Sequence, residues 1–336
     1  LIIIYFYLVL NAIFIANNTD SIIRAIGFIR FIIFSYAVSF YFFYFKNTIL
    51  KFWVIIFFIV SFDIIFEYFM GNNILGFESG YPGRIASFTG DEIKIGNFYF
   101  ALVFICLSFF KDKDEKLFFL LFISFLIISL LIGERSNFIK VFIMYSLFFI
   151  FFYDISFFKK FFIFIFLVLI SGSIILSVPA LKNKFTNHII EKKLIEKFQT
   201  NEKKINIEEI ASTNRHLSHY YIAANIFKEN IFFGSGFKSF KIESNSKAYQ
   251  KEKAMGAANH PHQFHFEILS ELGLVGYILI LSNLIYISLK NFKSQNALRN
   301  TGALLFIIVS LIPFLPSGSF FTSYGATIFF INYSFL

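Results

Sequence analysis

The chain is short of charge, nearly free of cysteine and poor in arginine. Charged residues fill 15% of its 336 positions and hydrophobic residues 57%, with a mean hydropathy of +0.70. A soluble domain carries about 25% charged and roughly 45–50% apolar residues. The apolar residues also lie in long unbroken runs, which a soluble core does not require. Two soluble domains, the other arrangement this length allows, are therefore set aside. The one cysteine, Cys106, sits inside an apolar run, which excludes an intramolecular disulfide and any cysteine-based metal cluster. The first run, 1–16, has no basic flank before it and no small-residue cleavage site after it, so it does not read as a signal peptide. It reads as a truncated membrane helix, because the chain opens on Leu1 and is expected to begin inside a longer protein.

What fills the chain is phenylalanine, 55 residues of it, with isoleucine, lysine and asparagine. That is the output of an AT-rich coding bias, and much of the Phe is read as lipid-facing filler. A bilayer core takes about 20 apolar residues per helix, and a helix satisfies its own backbone there. Ten runs qualify: 1–16, 26–45, 49–69, 95–110, 117–132, 138–153, 161–178, 266–289, 300–315 and 320–336. The expected fold is an all-α integral membrane protein of about ten transmembrane helices, N-terminally truncated, with one large, partly helical outer loop. Residues 1–178 hold seven helices, 179–265 the loop, and 266–336 three more. Every second short loop is rich in lysine (Lys46 and Lys51; Lys111, Lys113 and Lys116; Lys159 and Lys160; Lys290, Lys293 and Arg299). The positive-inside rule places these in the cytoplasm and loop 179–265 outside. The net charge of +9 is then partly a topology signal. A basic surface beside a bilayer meets anionic headgroups or a phosphorylated lipid, and no nucleic-acid partner is expected.

Arginine is scarce and unevenly placed. Arg24, Arg30, Arg84, Arg135 and Arg215 fall on the outer side, and Arg299 alone falls inside. Arginine binds phosphate through a planar fork and keeps its charge, so the bias suggests an outward site for phosphate or pyrophosphate; with so few arginines, chance also gives uneven splits. Arg135 lies in the break Gly133-Glu134-Arg135-Ser136-Asn137. A charge at that depth faces a bundle interior or a water-filled cavity, or it snorkels while paired with Glu134. Asp63 and Glu67 stand four apart on one helix face and read as structural acids, with Arg24 or Arg30 as available partners.

The outer loop divides in two. Residues 182–210 are rich in Lys and Glu and read as solvated surface. Ser212 or Thr213 then caps a helix running to about Asn230, and Gly234-Ser235-Gly236 forms a turn. No strand precedes that turn, so no nucleotide fold is read from it. The run Asn259-His260-Pro261-His262-Gln263-Phe264-His265-Phe266-Glu267 brings three histidines to the mouth of the next helix. Three readings stand: a metal site, although the spacing fits no standard zinc pattern; interfacial packing; or an acid/base, since histidine titrates near neutral pH.

His262-Gln263, nine residues, Gly273, two residues and Gly276, followed by an apolar helix, resembles the signature of the O-antigen ligase and polymerase superfamily. Other segments follow in the family's order: Gly83-Arg84-Ile85 through Asp91-Glu92 to Gly96, Glu134-Arg135-Ser136, Asn214-Arg215, Phe232-Phe233-Gly234-Ser235-Gly236 and Pro313 to Phe321. The resemblance spans roughly 70–336, with a ligase-like core at about 117–285. Two departures stand out. Glu134 precedes Arg135 where the family often reads Ser-Arg-Gly, and the ligases' Arg-x-x-x-Leu is absent, Arg215 being followed by Leu217.

The resemblance implies a glycosyltransferase of lipopolysaccharide or surface polysaccharide biosynthesis, multi-pass in the bacterial inner membrane, that works on the periplasmic face without metal or other cofactor. It would move a glycan from undecaprenyl pyrophosphate to a sugar hydroxyl of lipid A-core or of a growing glycan. Fixed cations answer the charge of the leaving pyrophosphate, and a positioned base answers the acceptor's proton. The expected catalytic residues are His262, Arg215 and Arg135. Arg84, Arg215, Arg135, His260 and Glu267 are expected to bind substrate or pyrophosphate, Glu267 by orienting a histidine. A polytopic transporter or flippase of lipid-linked glycan is the alternative, although no internal repeat is visible.

Overall fold

The computed structural model describes residues 1–90, 92, 94–111, 113–186, 215–246, 249, 258–292 and 298–336. Its helices are α1 Ile2–Asn11, α2 Thr19–Gly27, α3 Ile29–Met70, α4 Ile95–Lys111, α5 Glu115–Leu131, α6 Arg135–Leu147, α7 Phe157–Ser177, α8 Pro179–Thr186, α9 Arg215–Glu229, α10 Phe240–Glu243, α11 Phe264–Phe292, α12 Leu298–Ser310 and α13 Ser323–Tyr333. The only pairing of extended backbone among the described residues is the isolated bridge Asn72–Glu78. Each of the ten apolar runs contains a helix. Among the described residues, five helical stretches are long and apolar enough to cross a membrane: Thr19–Lys46, Thr48–Met70, Arg135–Phe152, Phe157–Ser177 and Phe264–Phe292. Ile2–Ala16, Ile95–Lys111 and Leu298–Ser310 are shorter apolar helices.

Three helices differ from the runs that announced them. The run 300–315 stops being helical at Ser310, ahead of Pro313 and Pro316, because proline supplies no N–H and disfavours helix in the residue before it. The run 320–336 starts at Ser323, where the Thr322 hydroxyl accepts the Gly325 N–H at 3.1 Å. Helix α11 is broken at Gly273. The expected surface at 187–210, the Ser212 or Thr213 cap and Asp91 lie outside the described residues.

Two compact units are present. Unit 2 comprises Ser39–Glu196, Asn291–Val309 and Phe335–Leu336. Its centre is α4, with ten of its 17 residues buried. Phe104, Phe122, Tyr145 and Phe148 meet there edge to face or tilted, the geometry that aromatic quadrupoles favour. Helix α7 has only Leu167 and Ser171 buried, and Phe157, Phe158, Phe161 and Phe162 are exposed. Much of the phenylalanine does face outward, as on α7, while α4 and α5 use the same residue as core. Asp63 and Glu67 anchor the segment after α3. Asp63 accepts from the Ile74 N–H at 2.8 Å and the Ser87 hydroxyl at 2.5 Å. Glu67 accepts from the N–H groups of Ala86 at 3.1 Å and Ser87 at 2.6 Å. Their structural reading holds, but arginine is not the partner: Arg24 pairs with Asp20 at 2.8 Å and Arg30 donates to the Ser323 hydroxyl at 2.7 Å.

Unit 1 comprises Leu1–Val38, Lys197–Lys290 and Ser310–Ser334. Ile222, Ala223 and Ile226 of α9 pack on Phe240 and Tyr249 in one buried cluster. Tyr220 stacks on Phe266, ring centroids 4.9 Å apart, which fixes α9 beside the first turns of α11.

Candidate active site

The break in α11 explains the glycine spacing. Gly273 has φ +64°, and a Cβ there would lie 2.4 Å from the backbone of Phe232 and Gly234. The chain at 231–236 lies along the break and pairs with it: Ser235 N–H to Ser270 O at 2.9 Å, Gly236 N–H to Glu271 O at 2.9 Å, Leu274 N–H to Ile231 O at 2.8 Å and Val275 N–H to Phe232 O at 3.1 Å. The backbone groups freed by breaking the helix are thereby satisfied, as burial demands. A Cβ on Gly276 would meet the Tyr7 ring at 2.8 Å, and the Tyr7 hydroxyl donates to Leu272 O at 2.6 Å. Asn11 clasps the same loop, donating to Phe233 O at 2.7 Å and accepting the Phe237 N–H at 2.7 Å. One glycine admits the loop and the other admits α1.

Ahead of the break, the first turns of α11 carry two buried carboxylates. Glu267 accepts hydrogen bonds from the Ser319 hydroxyl and from the Phe320 N–H at 2.8 Å, and it pairs with the Lys238 ammonium at 3.5 Å. Glu271 accepts from the N–H groups of Lys238 at 3.1 Å and Phe240 at 3.4 Å. Glu267 therefore orients no histidine by direct bond; its partners are a lysine and the 319–320 backbone and hydroxyl. Gln263 caps the helix, its side-chain oxygen accepting the Phe266 N–H at 3.0 Å.

His262 stands just before this helix with φ +60°, a left-handed setting that costs a non-glycine residue about 1 kcal/mol or more. Its carbonyl accepts the Ser317 N–H at 2.8 Å, which helps hold that setting. Three imidazoles surround its ring, with centroids at 4.1 Å for His260, 5.2 Å for His219 and 5.3 Å for His216. His216 and His219 project from the first turn of α9, whose first residue is the exposed Arg215. Burial first, then the charges of His260, His216, His219 and Arg215, push His262 from the usual 6.5 down to about 3. Burial, then Arg215, His216 and His260, push His219 down to about 4. His260 is lowered by burial, with Glu267 opposing the shift and Lys238 adding to it. At neutral pH the imidazoles of His219 and His262 are uncharged, and each offers one N–H and one lone pair. Both ring nitrogens of His219 and the Nε2 of His260 are buried without a hydrogen-bond partner among the described residues.

His265 plays a different part. Its Nε2 lies 2.8 Å from Leu311 O and its Nδ1 3.0 Å from the Tyr277 hydroxyl. One tautomer, protonated at Nε2, satisfies both contacts, so His265 is a packing residue. Among the described residues no group of three or more His, Cys, Asp or Glu side chains is placed to hold a metal ion.

Arg84 and Arg135 belong to unit 2. The Ile85 N–H bonds to Ile132 O at 3.0 Å, which brings the Arg84 segment alongside the Gly133–Arg135 break. The Arg84 guanidinium is close enough for its charge to act on Arg135. Glu134 is buried, and the Asn137 side-chain amide donates to its Oε2 while Oε1 has no partner among the described residues. Burial pushes the Glu134 carboxyl up to about 7, against the pull of the Asn137 bond, Arg84, Lys140 and the Gly96 N–H.

Residues 117–281 match the family model described as O-antigen ligase. This match, over just under half of the chain, supports the O-antigen ligase/polymerase superfamily. No curated protein matches it. The matched O-antigen ligase segment contains Glu134, Arg135, Arg215, His216, His219, Lys238, His260, His262, Glu267, Gly273 and Gly276, and Arg84 lies before it. Sequence reasoning gave His216, Ser317 and Ser319 no individual role and passed over His219 and Lys238. The spacing of Arg215 and His219, four apart on a helix, was the available signal for His219. Nothing in the sequence separates Lys238 from the solvated lysines around it.

Proposed function

We propose that this membrane protein transfers a glycan from undecaprenyl pyrophosphate to a sugar hydroxyl on the periplasmic face of the inner membrane, joining it to lipid A-core or to a growing glycan. In this reading the ten apolar runs cross the bilayer, and the lysine-rich short loops support placing 179–265 outside. Residues 1–178, 179–265 and 266–336 serve as the first membrane block, the outer loop and the second membrane block. The observation that carries the reading is the uncharged His262, ringed by three imidazoles and close to the charge of Arg215, within the matched segment.

The chemistry follows from that setting. The acceptor hydroxyl gives its proton to the lone pair of His262 as its oxygen attacks the anomeric carbon of the donor sugar. The bond from that carbon to the pyrophosphate oxygen breaks, and undecaprenyl pyrophosphate leaves with the electron pair. A base with a pKa near 3 is a weak proton acceptor at neutral pH. The pyrophosphate itself offsets this, because a dense negative charge near His262 favours the imidazolium. Arg215, Arg84 and Arg135 are the proposed partners of the pyrophosphate oxygens, and each two-point guanidinium contact stabilises the charge that grows on the leaving group. His260 contributes a polar contact to substrate. Glu267 acts through the segment it holds and not as a ligand.

Transport remains the alternative, and the broken helix α11 is the feature it would use. The break is occupied by the docked backbone of 231–236, which supports the transferase reading over transport. The test is to delete the gene and resolve the surface glycan on a gel. Loss of the whole ladder from the core marks a ligase, and a single repeat left on the core marks a polymerase. An unchanged ladder sinks both.

A further inference from the structure

We propose that Lys238 is a positioning residue for His262: through Glu267 and Ser319 it holds the backbone that presents His262 and sets the charge balance around His260. The inference rests on the glycan-transfer reading of the histidine centre.

Lys238 comes from a lysine-rich stretch, yet its side chain is only 13% exposed. Its ammonium lies 3.0 Å from the Ser319 hydroxyl and 3.5 Å from Glu267 Oε1, and 5.8 Å from the centre of the Phe321 ring. Its own N–H is held by Glu271. Lys238 and His262 share a left-handed backbone at φ +60°, and a short chain of bonds links them. Ser317 N–H binds the His262 carbonyl. Two residues on, the Ser319 hydroxyl and the Phe320 N–H both bind Glu267. The segment 317–320 is thus pinned by His262 at one end and Glu267 at the other, with Lys238 touching the acid and the serine that make the second pin.

The charge argument is independent of the bonds. Glu267 and Glu271 are each 1% exposed, and a buried carboxylate without a cation is costly. The ionisable groups around the histidine pair are Arg215, His216 and His219 from α9, Glu267 from α11 and Lys238 from the loop before α10. Glu267 draws a proton toward His260, and Lys238 opposes it. Without the ammonium, Glu267 acts unopposed. His260 then charges at a higher pH, and its new cation stands against the ring of His262. A lysine that merely filled space would leave those titrations where they are.

The experiment uses the full chain labelled with 15N-histidine in liposomes of phosphatidylethanolamine and phosphatidylglycerol. Imidazole shifts are followed across pH for wild type, Lys238→Met, Lys238→Arg and Ser319→Ala, and surface glycan is measured in cells carrying the same variants. In Lys238→Met one histidine midpoint rises by about one pH unit and glycan falls by about tenfold or more. Lys238→Arg restores both, because the charge is kept. Ser319→Ala leaves the midpoints in place and lowers glycan severalfold. Unmoved histidine midpoints in Lys238→Met, or midpoints in Lys238→Arg as shifted as those in Lys238→Met, overturn the proposal. If Lys238→Met does not accumulate as folded protein, Ser319→Ala decides: reduced glycan at normal abundance supports the proposal, and wild-type glycan overturns it. Normal glycan in His262→Ala sinks the transferase reading instead, and the histidine titrations still decide whether Lys238 sets the charge of the pair.

Discussion

At the mouth of α11, four imidazoles crowd together beside Arg215, and burial keeps His262 and His219 uncharged. Around Glu134, the charges of Arg84 and Lys140 act on one buried carboxyl, with Arg135 next to it in the chain, and burial carries that carboxyl up to about 7. Both regions lie in breaks between apolar helices, and both are departures from the hydrocarbon chemistry that dominates the chain. They differ in what burial leaves behind. In the first it leaves neutral groups with free lone pairs, suited to a proton in flight. In the second it leaves an excess of fixed positive charge, suited to an anion that arrives already ionised.

The contrast breaks most readily at the backbone. Gly273→Ala puts a Cβ against Phe232 and Gly234 at a positive φ. It should cost about 3 kcal/mol or more and cut the yield of folded protein, as read by size-exclusion of a fluorescent fusion. Gly172→Ala in α7, where a Cβ meets nothing within 4 Å, should leave yield and melting temperature unchanged or slightly raised. Equal losses from the two would mean that the loop does not seat in the break.

Arg215→Lys is the next largest effect. It keeps the charge and loses the two-point fork, so glycan output should fall about tenfold, and Arg215→Ala further. Matching wild-type output in Arg215→Lys would make Arg215 a general charge and not a pyrophosphate partner. Glu134→Gln sharpens the other region. As pH rises through about 7, Glu134 ionises and adds a negative charge beside Arg84, which weakens the hold on a pyrophosphate. The wild-type KM for the lipid-linked donor should therefore climb a few-fold above that pH, and in Glu134→Gln it should stay flat. A parallel climb in both would remove Glu134 from the pyrophosphate site.

The smallest effect concerns stability. His219 and His262 have folded pKa values depressed below the usual 6.5. The unfolded chain then binds protons that the folded chain refuses, so stability is full above about 6.5 and is lost as pH falls toward 4 and 3. The melting temperature in detergent should drop across that window, and the drop should shrink in His219→Gln. A melting temperature that is level from pH 7 to 4 would contradict the burial of these rings.

Much of this was legible in the sequence because hydropathy is a local property. Each of the ten apolar runs contains helix, five of the helical stretches among the described residues being long enough to cross a membrane, and Asp63 and Glu67 behave as structural acids. The break at Gly273 was not legible as a break, since apolar residues continue through it; the motif spacing marked it, and the docked backbone of 231–236 explains it. His262, His260 and Arg215 were visible as a pattern around one helix mouth. His219 needed a tertiary contact to become meaningful, and Lys238 looked like every other lysine in a basic loop. The outward bias of arginine was a weaker guide: Arg24 and Arg30 are occupied by Asp20 and Ser323, while Arg84, Arg135 and Arg215 stand beside buried titratable groups. Phenylalanine was legible in part: much of it is exposed, but composition does not separate a ring facing outward from a ring packed on α4.

The most direct measurement is glycan transfer by His262→Ala and His262→Gln chains that reach wild-type abundance in the membrane. The account predicts that His262→Ala forms no product and that His262→Gln, which keeps a polar side chain but cannot take a proton, forms about a hundredth of the wild-type amount or less. Normal surface glycan from either variant would contradict the assignment of proton transfer to His262.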